Sequence, residues 1–448
     1  IANVAPMDRG SKTKFTTTKH DVGADENRPF LFPYSALTLT TGSNPDREYV
    51  MKKMLLATAV SALYAGGAFA AGHASEAKIG VILGFTGPIE SLTPAMADSA
   101  EFAIKEVNES GQFLDGVTLV PVRGDSTCGD AAAGSAAAER LITADGVVAI
   151  MGADCSGVTG GILSNVALPN GVPMISPSAT SPGLSTVEDN GLFFRTSPSD
   201  ARQGEVLAGV LGTNGVTSVA VTYQNSDYGK GLSDSFIAAF EAAGGSITLS
   251  APHEDNKADY SAEIAALASA GGDVLVVLGY ADAGGKGMIQ AASDTGAFDT
   301  FMLGDGMYGD ALLADLGDVL EGSYGVVPWS EGEGTDKFNE LATAAGIEAG
   351  SAYTRESYDA GALIALAMAK GGEVSSAAVA ANVLDVANAP GEPILPGELG
   401  KALEIIKAGG DVDYVGATNV ELIGPGEAAG TYRHYAIKGG AFETVEIR

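Results

Sequence analysis

Lys78-Ile79-Gly80-Val81-Ile82-Leu83-Gly84 is a short apolar run rich in β-branched residues, and the sequence that follows it changes period. Met96, Ala100, Ala103 and Val107 recur at intervals of four, three and four, which marks one face of a helix. The same alternation continues, with strands predicted at 118–122, 147–151 and 173–175 and helices at 131–143 and 158–168. After Ser197-Pro198-Ser199 it restarts, with a helix running to Leu211, strands at 218–222, 246–250, 274–278 and 300–303, and helices at 232–243, 260–269 and around Met288. A strand that hands over to a helix and then to another strand calls for a parallel sheet covered on both faces. Two such cycles predict an α/β protein of two doubly wound lobes with central, mainly parallel sheets. The tail differs, with helical periods at 336–345, 352–370, 375–388 and 403–407, and two alternating stretches, 432–438 and 442–447, that read as a hairpin.

The chain has 448 residues, of which 46% are hydrophobic and 18% charged, enough apolar material for more than one core and too little charge for disorder throughout. Its 25 bases and 56 acids give a net charge of −31. The acidity is uneven: residues 1–50 are neutral, 51–70 hold only Lys52 and Lys53, and 71–448 carry 17 bases and 50 acids, a net −33. A surface of that sign excludes ordinary nucleic-acid binding, which works by displacing counterions with basic side chains.

Residues 51–70 read MKKMLLATAVSALYAGGAFA. A dibasic start, an apolar core too short for a bilayer and the small-residue exit Ala68-Phe69-Ala70 make a secretory signal. The fifty residues before it are polar and aperiodic, and are expected to be an untranslated or disordered leader. Cys128 and Cys155 both lie well beyond the cleavage point, so no lipid anchor is expected. In an exported chain such an even pair reads as a disulfide, whereas in cytosol it reads as two free thiols. No later apolar run approaches the length of a membrane span, so a soluble periplasmic protein is expected.

The signatures of catalysis are missing. There is no GxGxxG; the nearest approach to a phosphate loop, 279–287, has Lys286 out of place; no GxSxG surrounds Ser156. The four histidines, His20, His73, His253 and His434, are scattered without metal-ligand spacing, and His253-Glu254-Asp255 reads as a solvated loop. The sequence therefore points to a binder rather than an enzyme, with no cofactor and no metal.

Ligands of open α/β sheets bind beyond the carboxyl ends of the strands. Four loops stand there: Gly152-Ala153-Asp154-Cys155-Ser156-Gly157, Ile175-Ser176-Pro177-Ser178-Ala179-Thr180-Ser181-Pro182, Asn225-Ser226-Asp227-Tyr228-Gly229-Lys230-Gly231 and Gly304-Asp305-Gly306. The first offers a hydroxyl and helix-opening N–H groups suited to a carboxylate, or is simply a helix cap. Tyr228 and Tyr280 also fit structural aromatics at strand ends, and Asp305 between glycines also fits a turn.

Taken in order with Gly84-Phe85-Thr86-Gly87-Pro88 and Pro198-Ser199-Asp200-Ala201-Arg202-Gln203-Gly204, these motifs resemble the leucine/isoleucine/valine-binding protein family, type I periplasmic solute-binding proteins of ABC importers. The likeness runs from Lys78 through at least Gly306 and weakens in the last hundred residues. It implies lobes of 71–196 plus 327–431 and of 197–326 plus 432–448, joined by three crossovers, with an amino acid trapped as they close. It implies that Ser156, Ala179 and Thr180 hold the α-carboxylate and part of the ammonium from one lobe. Tyr228, Tyr280 and Asp305 close from the other, with Asp305 facing the ammonium. A Cys128–Cys155 disulfide matches the family and would pin the loop of Ser156. The implied ligand is a branched-chain or small neutral amino acid, the alternative being a binder or sensor of short amides, urea or another small non-zwitterionic solute, and the implied partner of the monomeric binder is an inner-membrane ABC permease. Two departures bear on specificity. The family's branched-chain binders usually carry a longer acid where Asp305 stands, and often an aromatic where this chain has Glu90-Ser91-Leu92-Thr93.

Overall fold

The computed structural model describes residues 76–448, so the signal at 51–70, the leader, His20 and His73 lie outside the described residues. The chain begins with β1 (Glu76–Leu83), α1 (Thr93–Ser110), β2 (Thr118–Asp125), α2 (Ala131–Arg140), β3 (Ala149–Gly152), α3 (Ser156–Ile162), β4 (Met174–Ser176) and β5 (Phe193–Arg195). It continues through α4 (Asp200–Thr213), β6 (Ser218–Gln224), α5 (Asp227–Ala242), β7 (Ser246–His253), α6 (Ser261–Ala270), β8 (Val274–Leu278), α7 (Gly284–Thr295), β9 (Phe301–Leu303), α8 (Asp310–Leu316) and β10 (Tyr324–Pro328). The remainder is α9 (Glu333–Ala345), α10 (Thr354–Gly371), α11 (Ser376–Ala387), β11 (Glu392–Ile394), α12 (Leu399–Lys407), β12 (Val412–Tyr414), β13 (Leu422–Ile423), β14 (Glu427–Ala428), β15 (Tyr432–Lys438) and β16 (Ala441–Ile447).

Among the described residues fourteen of these strands form two seven-stranded sheets, ordered β13-β14-β5-β4-β3-β1-β2 and β16-β15-β10-β9-β8-β6-β7, and β11 and β12 pair in parallel as a small third sheet. Strands β1 to β5 pair in parallel in the first, and β6 to β10 in the second. Only β13–β14 and the hairpin partners β10–β15 and β15–β16 are antiparallel. The two doubly wound, mainly parallel sheets expected from the alternation are present. The chain passes between them three times, after β5, after β10 and after β14. Val327 and Pro328, expected in the first lobe, still pair with Arg433 and Tyr432 in the second sheet.

Burial accounts for the patterns. The helical stripe Met96, Ala100, Ala103 and Val107 is fully buried, and all five residues of β8 are buried, as a central parallel strand requires. Helix α10 is buried from Thr354 to Met368 and packs between α1 and α11. Among the described residues no single helix is long and apolar enough to cross a membrane. The Cys128–Cys155 disulfide is formed.

Three features depart from expectation. Strands β5, β10 and β11 to β14 and helix α8 have no counterpart in the predicted set; the apolar run of β10 is interrupted by Gly325 and Pro328. The stretch 225–231, expected as a loop, is mostly the first turns of α5, with Ser226 as its cap accepting from the Gly229 N–H at 3.2 Å. A Cβ at Gly229 would lie 2.2 Å from the Gln224 carbonyl oxygen, so the glycine that made the segment read as loop is what lets the helix start against β6. His253 ends β7 buried, not solvated; its Nδ1 lies 2.8 Å from Thr222 Oγ1, and burial lowers its pKa to about 4.

Candidate functional site

The strand ends of the two sheets face each other, and the loops that follow β3, β4, β8 and β9 meet there with the first turns of α4 and α5. Ser156 opens α3 with its side chain buried, and Ser156 Oγ accepts from the Ser181 N–H at 3.1 Å. That bond ties the helix start to the loop of Ala179 and Thr180, and leaves the Ser156 hydroxyl proton free to donate. The Ala179 N–H donates to Ser176 Oγ at 2.9 Å, and its carbonyl accepts from Arg195 at 2.9 Å, so this residue retains only a carbonyl lone pair. Thr180 is fully buried and its Oγ1 has no hydrogen-bond partner among the described residues.

Tyr228 and Tyr280 stack face to face with ring centres 4.9 Å apart, and the Tyr228 hydroxyl donates to Asp305 Oδ1 at 2.6 Å. Asp305 lies in a 3-10 turn after β9 and is 2% exposed. Gly306 permits this approach, because a Cβ there would lie 3.0 Å from the Tyr228 oxygen and 2.6 Å from the Gly279 carbonyl. The structure thus brings Tyr228, Tyr280 and Asp305 into one cluster, and Ser156, Ala179 and Thr180 into another.

A third group joins the two clusters, and no role was drawn from sequence for it. Gln203 Nε2 donates to Asp305 Oδ1 and to Asp200 Oδ1, each at 2.9 Å, while Gln203 Oε1 accepts from the Asp305 N–H at 3.1 Å. The Asp200 N–H in turn donates to the Thr180 carbonyl at 2.8 Å. Asp200 is fully buried and its Oδ2 has no hydrogen-bond partner among the described residues. Burial, and then the charge of Asp305, push its pKa well above the usual carboxylate range, opposed by the nearby Thr180 hydroxyl, which lies outside hydrogen-bonding geometry, and by the charge of Arg195. Tyr353 donates to Asp305 Oδ2 from the residue before α10. Asp200 and Gln203 stand inside the quoted stretch 198–204, so their spacing was visible; Tyr353 lies in a tail where no motif marked it.

Arg195, also unassigned from sequence, shapes the hydroxyl loop. Its buried guanidinium donates to the carbonyls of Ala179 and Ser181 at 2.9 Å and pairs with Glu427 at 2.5 Å. On the other side Asp154 is buried, accepting from the Gly84 N–H at 2.7 Å and from Ser126 at 2.9 Å, which fixes the loop leading to Ser156.

The lobes are closed over this centre. The Ser91 N–H donates to Asp282 at 2.9 Å and the Asp282 N–H to the Pro88 carbonyl at 3.1 Å, bonds that cross from one lobe to the other. Beside the buried centre lies a cavity of about 410 Å³, lined by Cys128, Cys155 and Gly157 on one side and by Asn225, Asp255 and Tyr280 on the other. Chemically, the centre offers hydroxyl donors and helix-opening N–H groups at one end and two buried carboxylates at the other. Each carboxylate oxygen accepts up to two hydrogen bonds, so acceptor capacity remains at Asp200 Oδ2 and Asp305 Oδ2. Among the described residues no group of three metal-binding side chains occurs.

A family model described as periplasmic binding protein matches residues 76–397. A Leu/Ile/Val-binding protein of Rhizobium johnstonii is 29% identical over 338 residues, covering 74% of this chain and 89% of that protein. Among solved structures, a branched-chain amino acid transporter substrate-binding protein of Streptococcus pneumoniae in complex with isoleucine superposes with a TM-score of 0.69 at 22% identity, covering 83% of this chain and 99% of that one. An ABC transporter solute-binding protein of R. palustris in complex with 4-hydroxybenzoate superposes with a TM-score of 0.65 at 20% identity, covering 83% and 97%.

Proposed function

The chain belongs to the periplasmic binding protein family, a family of solute binders and not of enzymes, and from that premise we propose that it captures an amino acid between its lobes and delivers it to an inner-membrane ABC permease. The ligand is a branched-chain or small neutral amino acid. In this reading the α-carboxylate is held by the Ser156 hydroxyl, the N–H groups that open α3 and the Thr180 hydroxyl. The ammonium lies against Asp305, with Asp200 behind it and Tyr228 and Tyr280 walling the site.

The observation that carries this reading is the buried acid pair. Two carboxylates joined through one Gln203 amide, with the Arg195 charge that opposes the Asp200 shift itself engaged by Glu427, form a centre that a ligand cation relieves. A zwitterion supplies that cation while its own carboxylate meets the hydroxyl end. A benzoate supplies only the carboxylate, and urea or an amide supplies neither charge, so the same centre disfavours both. The reading extends to a soluble, monomeric protein acting in the periplasm.

The test is a thermal-shift screen of the twenty amino acids, short amides, urea and 4-hydroxybenzoate. Stabilisation by one or more neutral amino acids is expected; stabilisation by amides or benzoates alone would overturn the reading.

A further inference from the structure

Two contacts on the crossover side of the cleft start from the same short segment. Tyr353, with a left-handed backbone (φ 60°), donates its hydroxyl to Asp305. Arg355, in the first turn of α10, lays its guanidinium 4.0 Å from the centre of the Trp329 ring. Arg433 of β15 lies 4.8 Å from that same ring and 5.7 Å from the ring of Tyr308. Arg433 also donates to the Tyr308 hydroxyl at 2.8 Å and to the Phe442 carbonyl at 2.9 Å, and Arg355 donates to Asn339 at 3.1 Å. Both arginines are buried, and the Nε of each lacks a partner among the described residues. Arg195, by contrast, is buried against Glu427.

The connectivity gives the stack its meaning. Helix α10 packs on α1 and α11 of the first lobe, Arg433 belongs to the second sheet, and Trp329 is the first residue of the crossover between them. The Trp329 N–H donates at 2.9 Å to the carbonyl of Thr431, which lies in the third crossover. The indole at the hinge is therefore touched by a cation of one lobe and a cation of the other. Burial lowers the Arg355 pKa and the charge of Arg433 adds to that effect, while the carboxylate of the adjacent Glu356 opposes it. Both contacts to the one ring are kept together only at a relative setting of the lobes that brings Arg355 and Arg433 to it at once.

We propose that the first turn of α10 is the latch of the closed lobes: Arg355 fastens the hinge through Trp329, and Tyr353 fastens the cleft through Asp305. The inference rests on the reading of the cleft as the ligand site. Because Tyr353 and the ligand's ammonium share the Asp305 carboxylate, filling the site and shutting it are coupled.

The test uses the exported chain with L-leucine as probe, the sole tryptophan as reporter, and the variants Arg355→Met, Arg355→Lys and Tyr353→Phe. Without ligand, Arg355→Met and Tyr353→Phe should enlarge the radius of gyration in small-angle scattering and change the emission of Trp329. Leucine should leave these two variants about 3- to 30-fold faster than wild type at an unchanged association rate, and Arg355→Lys should recover part of the loss. Lower melting temperatures with unchanged scattering and dissociation would mean a merely structural role and would overturn the latch. If leucine fails to stabilise the wild type, the amino-acid reading fails for that probe, while the ligand-free scattering still decides the latch: equal radii in all four proteins refute it.

Discussion

Replacing Asp305 by asparagine should move binding and stability in opposite directions. The carboxylate is 2% exposed and accepts from Gln203, Tyr228 and Tyr353, so its charge is held by donors inside a desolvated site. If it faces the ligand's ammonium, neutralising it removes one partner of a buried charge pair, which costs about 2–5 kcal/mol, or roughly a 30- to 5,000-fold rise in Kd. In the ligand-free protein the same change removes the charge that, after burial, does most to raise the Asp200 pKa. Asp200 should then ionise more readily, and the unliganded melting temperature should hold steady or rise. Calorimetric titration with the tightest-binding amino acid, beside a melt of the free protein, reads both effects. Unchanged affinity refutes the ammonium assignment, and a large loss of unliganded stability refutes the electrostatic reasoning.

Four further outcomes follow from the same geometry. Substituting both Cys128 and Cys155 by alanine opens a loop of 27 residues and should lower stability by roughly 3–4 kcal/mol in urea unfolding, with the loss matched by reducing the wild type. Arg195→Met strands Glu427 and two carbonyls, so it should cost about 3–5 kcal/mol and weaken ligand binding through the displaced Thr180 loop. Gly229→Ala should shift the first turn of α5 away from β6 and take Tyr228 with it, leaving a folded protein by circular dichroism whose affinity falls at least tenfold, on the order of 1.4 kcal/mol. Burial raises Glu356 to a pKa of about 7, so between its ordinary value and that point the folded state binds the extra proton. Stability should therefore be full below about pH 4.5 as far as this group is concerned and fall as pH rises to 7, by a total on the order of 3 kcal/mol, and Glu356→Gln should flatten the curve.

What sequence revealed, and what it did not, follows from range. The fold was legible because the strand after residue 78 and the stripe Met96, Ala100, Ala103 and Val107 repeat a local period, and because β8 is a continuous apolar run, as a doubly covered parallel strand must be. The strands β5 and β10 do not show because β5 is only Phe193 to Arg195, ending in a charge, and Gly325 and Pro328 interrupt the apolar run of β10. The six residues drawn from motifs come together at the strand ends. What joins them does not show in local sequence: the Gln203 bridge spans 102 residues to Asp305, and Tyr353 reaches Asp305 from just before a helix whose period speaks only of burial. Tyr228 illustrates the reverse case, since a glycine-rich stretch that reads as loop is a helix start whose glycine is needed for contact with β6. The acids that follow His253 suggest solvent, whereas its strand carries it into the core.

The central claim is that the cleft recognises an ammonium group beside two buried acids. It is tested most directly by titrating each stabilising amino acid against its own deaminated 2-oxo acid, which keeps the carboxylate and side chain and lacks only the ammonium. The amino acid should bind, and the 2-oxo acid should bind at least 30-fold more weakly, on the order of 2 kcal/mol. Equal affinity for the two, or preference for the oxo acid, would contradict it.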